Sequence, residues 1–378
     1  MKVKINDCNK WKKDISLVAS RIDKKPTNLI EGTLHLIFND EENKLVIKAS
    51  KSESFYISRN IQDYIEIIEG GEIYVNASSI TSLNDNLIKD SSLTIESDGS
   101  QLVYEIPKYG SISEPLFTSA DPFPVVEEDI SKPSILIKLE DKQDKLIDII
   151  SKVSNISISP IEINVTTSNV SIYAQTEYSL IKYVLNLDNE EDYRIVIPNS
   201  FVKNLSLIKG EENRLYGLQS PIALKAVSNK GTLHVLGTDV EIGEYSVLDE
   251  SMKERYKARG LVDATEFLQA LSIQSYRSTE VTDSISLELK KDNLKIKGTN
   301  TKSASVISSS SNDSFREVKI PINAVASINN LLSNYGLLLI DFYENDMDEG
   351  SVSSLLIHPG EACDVDCYIL LYEQVILS

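Results

Sequence analysis

The sequence predicts an α+β fold built three times in tandem, and two observations carry that prediction. The first is a recurring segment, which reads GGEIYVNASSITSL, then DYRIVIPNSFVKNL, then FREVKIPINAVASI. Each copy runs through a short alternating apolar strand, is broken by Asn or Pro, and continues as an amphipathic helix. The strand ends Val75, Ile197 and Ile320 lie 122 and 123 residues apart in a chain of 378. That period is the length of a small domain, far longer than a solenoid repeat. The second observation is that each unit sets two helices among many short strands. Two helices cannot cover both faces of a large sheet, so they must share one side. The expected domains are residues 1–127, 128–252 and 253–378.

Taken in order, the first unit opens with a helix over Asp7–Ile22, where Trp11, Ile15, Val18 and Ile22 fall on one stripe at helical spacing. Strands are expected at Gly32–Phe38, Lys44–Ala49, Ser54–Ser58, Tyr64–Ile68 and Glu72–Val75. A second helix follows over Ser78–Lys89, then strands at Ser92–Ser97, Gln101–Ile106 and near Leu116. The second unit repeats the order. Its helices are expected at Asp141–Val153 and Ser200–Lys209, with strands at Ser134–Leu139, Glu162–Val165, Val170–Ala174, Leu180–Asn186 and Tyr193–Ile197 and more as far as Gly237. In the third, helices fall at Asp263–Tyr276 and Asn323–Ser333, and the polar run Ser308–Ser311 reads as a loop. The outward helix faces are small and polar, as at Ser16, Ser20, Ser78, Ser82, Asn86, Ser272 and Asn330.

Composition narrows the function classes. Hydrophobic residues at 41% and charged residues at 25% are ordinary for a water-soluble globular chain. There is no run of 18 apolar residues, which argues against a membrane span, and the first residues lack the apolar stretch of a secretory signal. Three cysteines make no paired framework, and a reducing cytoplasmic setting is expected. Cys363 and Cys367 share a strand face and read as small buried or half-buried side chains. His35, His234 and His358 are too scattered to form a metal site, so neither metal nor cofactor is expected. No phosphate-binding loop, nucleophile elbow or His-Glu-x-x-His motif occurs, so a non-catalytic role is expected. The net charge of −19 weighs against nucleic acid, although one basic face would suffice.

Three local markers join the triplication. Lys25-Pro26-Thr27 leads to Ile30 and Gly32 after the first helix; Ala120-Asp121-Pro122-Phe123-Pro124 follows the first unit; Val352-Ser353-Ser354-Leu355 precedes a last strand at Tyr368–Leu371. With these the chain resembles the bacterial DNA polymerase sliding clamps, the processivity factors called beta clamps. The resemblance implies three clamp domains per chain, each with two inner helices and outer antiparallel sheets. Two chains would close head to tail into a homodimeric ring around double-stranded DNA, tethering the replicative polymerase. DNA contacts carried over are Lys10, Lys12, Lys13, Arg21, Lys24 and Lys25, then Lys89, Lys145, Lys152, Lys203, Lys209 and Arg277. The family's groove for short peptide motifs of polymerase and clamp loader, between the second and third domains, maps to Tyr178, Leu180, Val247, Leu248, Val352, Ser354, Ile369 and Leu371. Ring closure maps to the strand Gln101–Ile106 as the outer edge, through Val103, Tyr104 and Ile106, and to Tyr276. The chain departs from the family at Ala174–Ile181, where only the flanking Ala and the Leu remain, and at the C-terminal segment from Leu371. The departures imply weak binding of standard bacterial clamp-binding peptides. The competing class is an extended β-rich adhesin or carbohydrate-binding array of three modules.

Overall fold

The computed structural model describes residues 1–22, 29–51, 55–86, 92–117, 123, 135–137, 143–199, 204–205, 208, 210–240, 242–276, 283–311, 313–347 and 350–372. The first stretch runs β1 (Lys2–Ile5), α1 (Cys8–Ala19), β2 (Thr33–Asn39), β3 (Lys44–Lys51), β4 (Phe55–Ile61), β5 (Ile65–Glu69) and β6 (Gly71–Asn76). Then come α2 (Ala77–Asn86), β7 (Leu93–Ser97), β8 (Gln101–Ile106) and β9 (Gly110–Pro115). The second has β10 (Ile135–Ile137), α3 (Gln143–Ile156), β11 (Ile161–Val165), β12 (Asn169–Gln175), β13 (Ser179–Asn186) and β14 (Tyr193–Ile197). It continues with β15 (Arg214–Gln219), β16 (Ile222–Ser228), β17 (Gly231–Leu236) and α4 (Gly243–Ser251). The third opens with β18 (Ala258–Asp263), α5 (Ala264–Gln274), β19 (Ser284–Lys290), β20 (Asn293–Gly298), β21 (Ser305–Ser308) and β22 (Ser310–Ser311). It ends with β23 (Phe315–Pro321), α6 (Ala324–Leu332), β24 (Leu337–Met347), β25 (Gly350–Pro359) and β26 (Val365–Tyr372).

The strand-to-helix switch seen in the sequence has a local cause. Asn76 Oδ1 accepts from the Ser78 and Ser79 amides at 3.0 and 3.2 Å and so caps α2. Asp7 does the same for α1, accepting from the Asn9 and Lys10 amides, and Asp263 caps α5 through the Glu266 amide.

The chain divides into two compact units, residues 1–151 with 201–238, and 152–200 with 239–378. In the first, a five-stranded sheet runs β5-β1-β7-β8-β9 and an eight-stranded sheet runs β10-β15-β16-β17-β4-β3-β2-β6. Its core holds Trp11, Ile15 and Val18 of α1, all fully buried, and the Trp11 indole donates to Asn84 Oδ1 of α2 at 2.9 Å. Buried Asp14 would be costly alone; Arg59 (2.6 Å) and the Tyr64 hydroxyl (2.8 Å) satisfy it. In the second unit, a nine-stranded sheet runs β14-β11-β12-β13-β26-β25-β24-β18-β22 and a four-stranded sheet runs β21-β20-β19-β23. Phe267 and Leu271 of α5 and Ile328 and Leu332 of α6 are fully buried there.

The units do not follow the sequence period because sheets continue across it. β17 of the second stretch pairs antiparallel with β4 of the first, and β26 of the third pairs antiparallel with β13 of the second. Two expectations change. β8 is not an edge, since β9 lies outside it. The run Ser308–Ser311 is not a loop: β21 ends in it, and β22 adds to β18 through Gly260–Ser311 and Leu261–Ser310. The helix expected over Ser200–Lys209 falls mostly outside the described residues.

Candidate functional site

Strand order exposes a pattern of joints. In the first stretch the sheets read β4-β3-β2-β6 and β5-β1-β7-β8-β9; in the third they read β21-β20-β19-β23 and β22-β18-β24-β25-β26. The second supplies β13-β12-β11-β14 and β10-β15-β16-β17. So β9, β17 and β26 occupy one topological position, and β4, β13 and β21 another. Both internal joints link one of the former to one of the latter. The two strands left over are β9 and β21, each ending its sheet among the described residues.

The side chains agree with this correspondence. Antiparallel ladders run Val3–Ile95–Tyr104–Ile112, Ile135–Gly217–Leu224–Val235 and Gly260–Ile340–Ile357–Ile369. Their last members at the joints, Val235 and Ile369, are 0% exposed, whereas Ile112 on β9 is 49% exposed. On the other edge Val306 of β21 is 62% exposed, with Ile273 (53%) and Tyr276 (69%) at the end of α5. An open edge carrying apolar side chains invites strand pairing. Of the residues proposed for closure, Tyr276 is exposed. Val103, Tyr104 and Ile106 sit one strand inward, and Tyr104 is buried with its hydroxyl donating to Glu114 Oε1 at 2.9 Å. The lone Ile112 in an otherwise polar GSISEP strand was the available signal for the edge.

Of the proposed DNA contacts, Lys10 and Lys13 are exposed on α1, and Lys12, half-buried, reaches Asp85 of α2 at 2.8 Å. Arg21 is half-buried just past the helix, and Lys145 is exposed on α3. Lys152, also on α3, is half-buried, and burial pulls its ammonium below the ordinary lysine range. Lys24, Lys25, Lys89, Lys203, Lys209 and Arg277 lie outside the described residues.

The expected peptide groove is divided in two by the fold. Leu180 and Leu248 pack with Tyr173, Tyr245, Tyr343, Leu356 and Leu370 in a closed apolar cluster. Ile369 and Leu371 are also fully buried and Ser354 is 3% exposed, so these five residues are interior; Val352 lies in β25. Tyr245 and Leu248 reach this cluster from α4, which the sequence reading did not anticipate as a helix. It is pinned by Asp249, which accepts from Lys182 at 2.6 Å and from the Tyr173 hydroxyl at 2.8 Å, and only Val247 of its expected wall faces out. An open cleft of about 280 Å³ is lined by Gln175–Leu180, Pro321 and Tyr372. Its turn is shaped by Thr176, whose hydroxyl accepts from the Tyr178 and Ser179 amides, and the Asn323 amide donates to the Tyr178 hydroxyl at 3.3 Å. Pro321 and Tyr372 join Tyr178 as lining groups that the sequence reading left out.

No family model and no curated protein sequence matches this chain. Solved structures do. The beta subunit of DNA polymerase III from Pseudomonas aeruginosa superposes with a TM-score of 0.78 at 15% identity, over 99% of this chain and 100% of that one. The chain has the sliding-clamp fold. The Bacillus subtilis DNA polymerase sliding clamp gives 0.77 at 15% identity over the full length of both chains. The Helicobacter pylori beta clamp, solved bound to a DNA ligase peptide, gives 0.78 at 17% over 99% and 100%. Such coverage leaves the three-module adhesin array without support. At 15–17% identity the same fold is held here by a largely different set of side chains. Among the described residues no helix is long and apolar enough to cross a membrane, and no group of three or more His, Cys, Asp or Glu is placed to hold a metal.

Proposed function

We propose that two copies of this chain close head to tail into a ring that encircles duplex DNA and tethers a polymerase to it. The observation that carries this reading is the pair of unmatched edges. A chain that joins its own thirds twice by the same kind of strand pairing keeps one half of that joint at each end. A second copy supplies the missing halves without any new type of contact. The three repeats then act as domains 1–127, 128–252 and 253–378. Such a ring needs no bond chemistry. It holds by topology and must slide, so DNA contacts should be weak, exchangeable and blind to base identity. Exposed Lys10, Lys13 and Lys145, together with small polar helix faces, suit that requirement, and the acidic remainder of the chain keeps DNA off other surfaces.

Topology is directly testable. The protein loaded onto nicked circular DNA should co-elute with it in high salt and be released when the circle is cut open. Equal retention on linear DNA, or none on circles, overturns the reading.

Partner peptides of polymerase and clamp loader dock, on this reading, in the open cleft at Tyr178, Pro321 and Tyr372, since α4 fills the deeper apolar site. Aromatic walls with hydroxyl and amide groups suit a short extended peptide bearing one apolar anchor. Tyr178→Ala and Tyr372→Ala should each weaken a polymerase-tail peptide by about 10-fold or more, the size of an aromatic hot spot. Titration calorimetry would measure it, with Val247→Ala as a near-neutral control.

A further inference from the structure

The two unmatched edges carry opposite charge. The segment holding β7 to β9, residues 92–117, has four carboxylates, Glu96, Asp98, Glu105 and Glu114, against the single Lys108. The segment holding β20 and β21, residues 293–308, has Lys295, Lys297 and Lys302 and no acid at all. In a chain of net charge −19 an acid-free basic hairpin is unexpected, and it falls on one of the two edges left over from the joints. Glu96 and Glu105 share the outer face of their sheet, since Glu96 stands opposite Val103 and Glu105 is two residues on. Lys295 and Lys297 likewise share the face opposite Leu294 and Ile296, which are fully buried. Glu105, Lys297 and Lys302 are exposed; Glu96 meets Lys2 at 3.2 Å, and Lys295 meets Glu288 at 3.1 Å.

We propose that this asymmetry is a selection device that lets the acidic β9 edge accept the basic β21 edge of a second copy of this chain and refuse like-charged edges. The inference rests on the ring reading and adds to it the chemistry of partner choice. Hydrogen bonds between strands are indifferent to which edge they join. Backbone pairing alone would therefore allow β9 with β9 or β21 with β21, contacts that close no head-to-tail ring. A hairpin of net negative charge meeting one of net positive charge steers encounter toward the productive pair, and two hairpins of one sign oppose it. The device acts over distances comparable to the screening length, so it is strongest in dilute salt.

Charge exchange tests it. One variant, Lys297→Glu with Lys302→Glu, makes both edges acidic; the other, Glu96→Lys with Glu105→Lys, makes both basic. At an ionic strength of about 0.01 M, where the screening length is about 30 Å, each variant alone should dimerise roughly 100-fold more weakly than the native chain. Mixed one to one, they should recover dimers within about 10-fold of native, because each variant's altered edge then meets an opposite charge. Sedimentation velocity reads all three samples, and circular dichroism checks that each variant is folded. The proposal is overturned if either variant dimerises like the native chain at low salt, or if mixing restores nothing. A native chain that stays monomeric would instead remove the ring reading on which it stands.

Discussion

Ile112→Asp is expected to abolish retention on circular DNA while leaving each chain folded. At present Ile112 is half-exposed, so the substitution costs the single chain little, within about 0.5 kcal/mol for a surface site. In the proposed ring it would occupy the step that Val235 and Ile369 take at the internal joints, where both are fully buried. Burying a carboxylate there without a partner should cost about 3 kcal/mol or more per seam, roughly 100-fold in affinity, and a ring of two chains has two seams. Sedimentation should therefore give monomers at concentrations where the native chain is dimeric, with an unchanged thermal melt. The substitution Val235→Asp makes the contrast: the same chemistry at an internal joint should destabilise the fold itself. If Ile112→Asp still forms rings, β9 is not the closing edge.

The second large effect concerns Asp341, which is 1% exposed in β24. Arg259 of the neighbouring β18 grips it through Nε and through Nη2, the latter at 2.6 Å, and His358 Nε2 lies 3.1 Å away. Burial alone would raise this carboxyl, but the hydrogen bonds from Arg259 and then His358 outweigh burial and hold it below the usual range. Asp341→Asn should cost about 2–3 kcal/mol at neutral pH, discounted from the fully buried case because Arg259 keeps partial access to water. A carboxyl depressed by folding stabilises fully above its unfolded value, about 4, and that contribution is lost as pH falls through the lower folded value. The gap between native and Asn melts should thus be constant at neutral pH and close progressively below about pH 4. A gap that persists unchanged into acid would show that Asp341 is not the linked group.

Much of this architecture was legible because its signals are local. Gln101–Ile106 alternates cleanly and forms β8 as read; the Asn76 and Asp263 caps mark helix starts within a residue or two. The elements that escaped depend on distant partners. α4 lacks a side-chain cap, and its Tyr245 and Leu248 acquire meaning only from Tyr173 and Leu370, far away in sequence. Two of the expected groove walls, Leu180 and Leu248, join that cluster as core. β22 is two serines, held as a strand by the backbone of Gly260 and Leu261. Which strand ends a sheet is likewise a property of the whole ladder. β8 has the stronger apolar pattern, yet the weakly patterned β9 lies outside it, so the edge was misplaced by one strand.

Joint length has a mechanical corollary. β17 and β4 are held by five registered residue pairs and β26 and β13 by seven, whereas β21 is only four residues long. On the ring reading, a load on the closed assembly would therefore part the seam between chains before either internal joint, because the shortest ladder opens first.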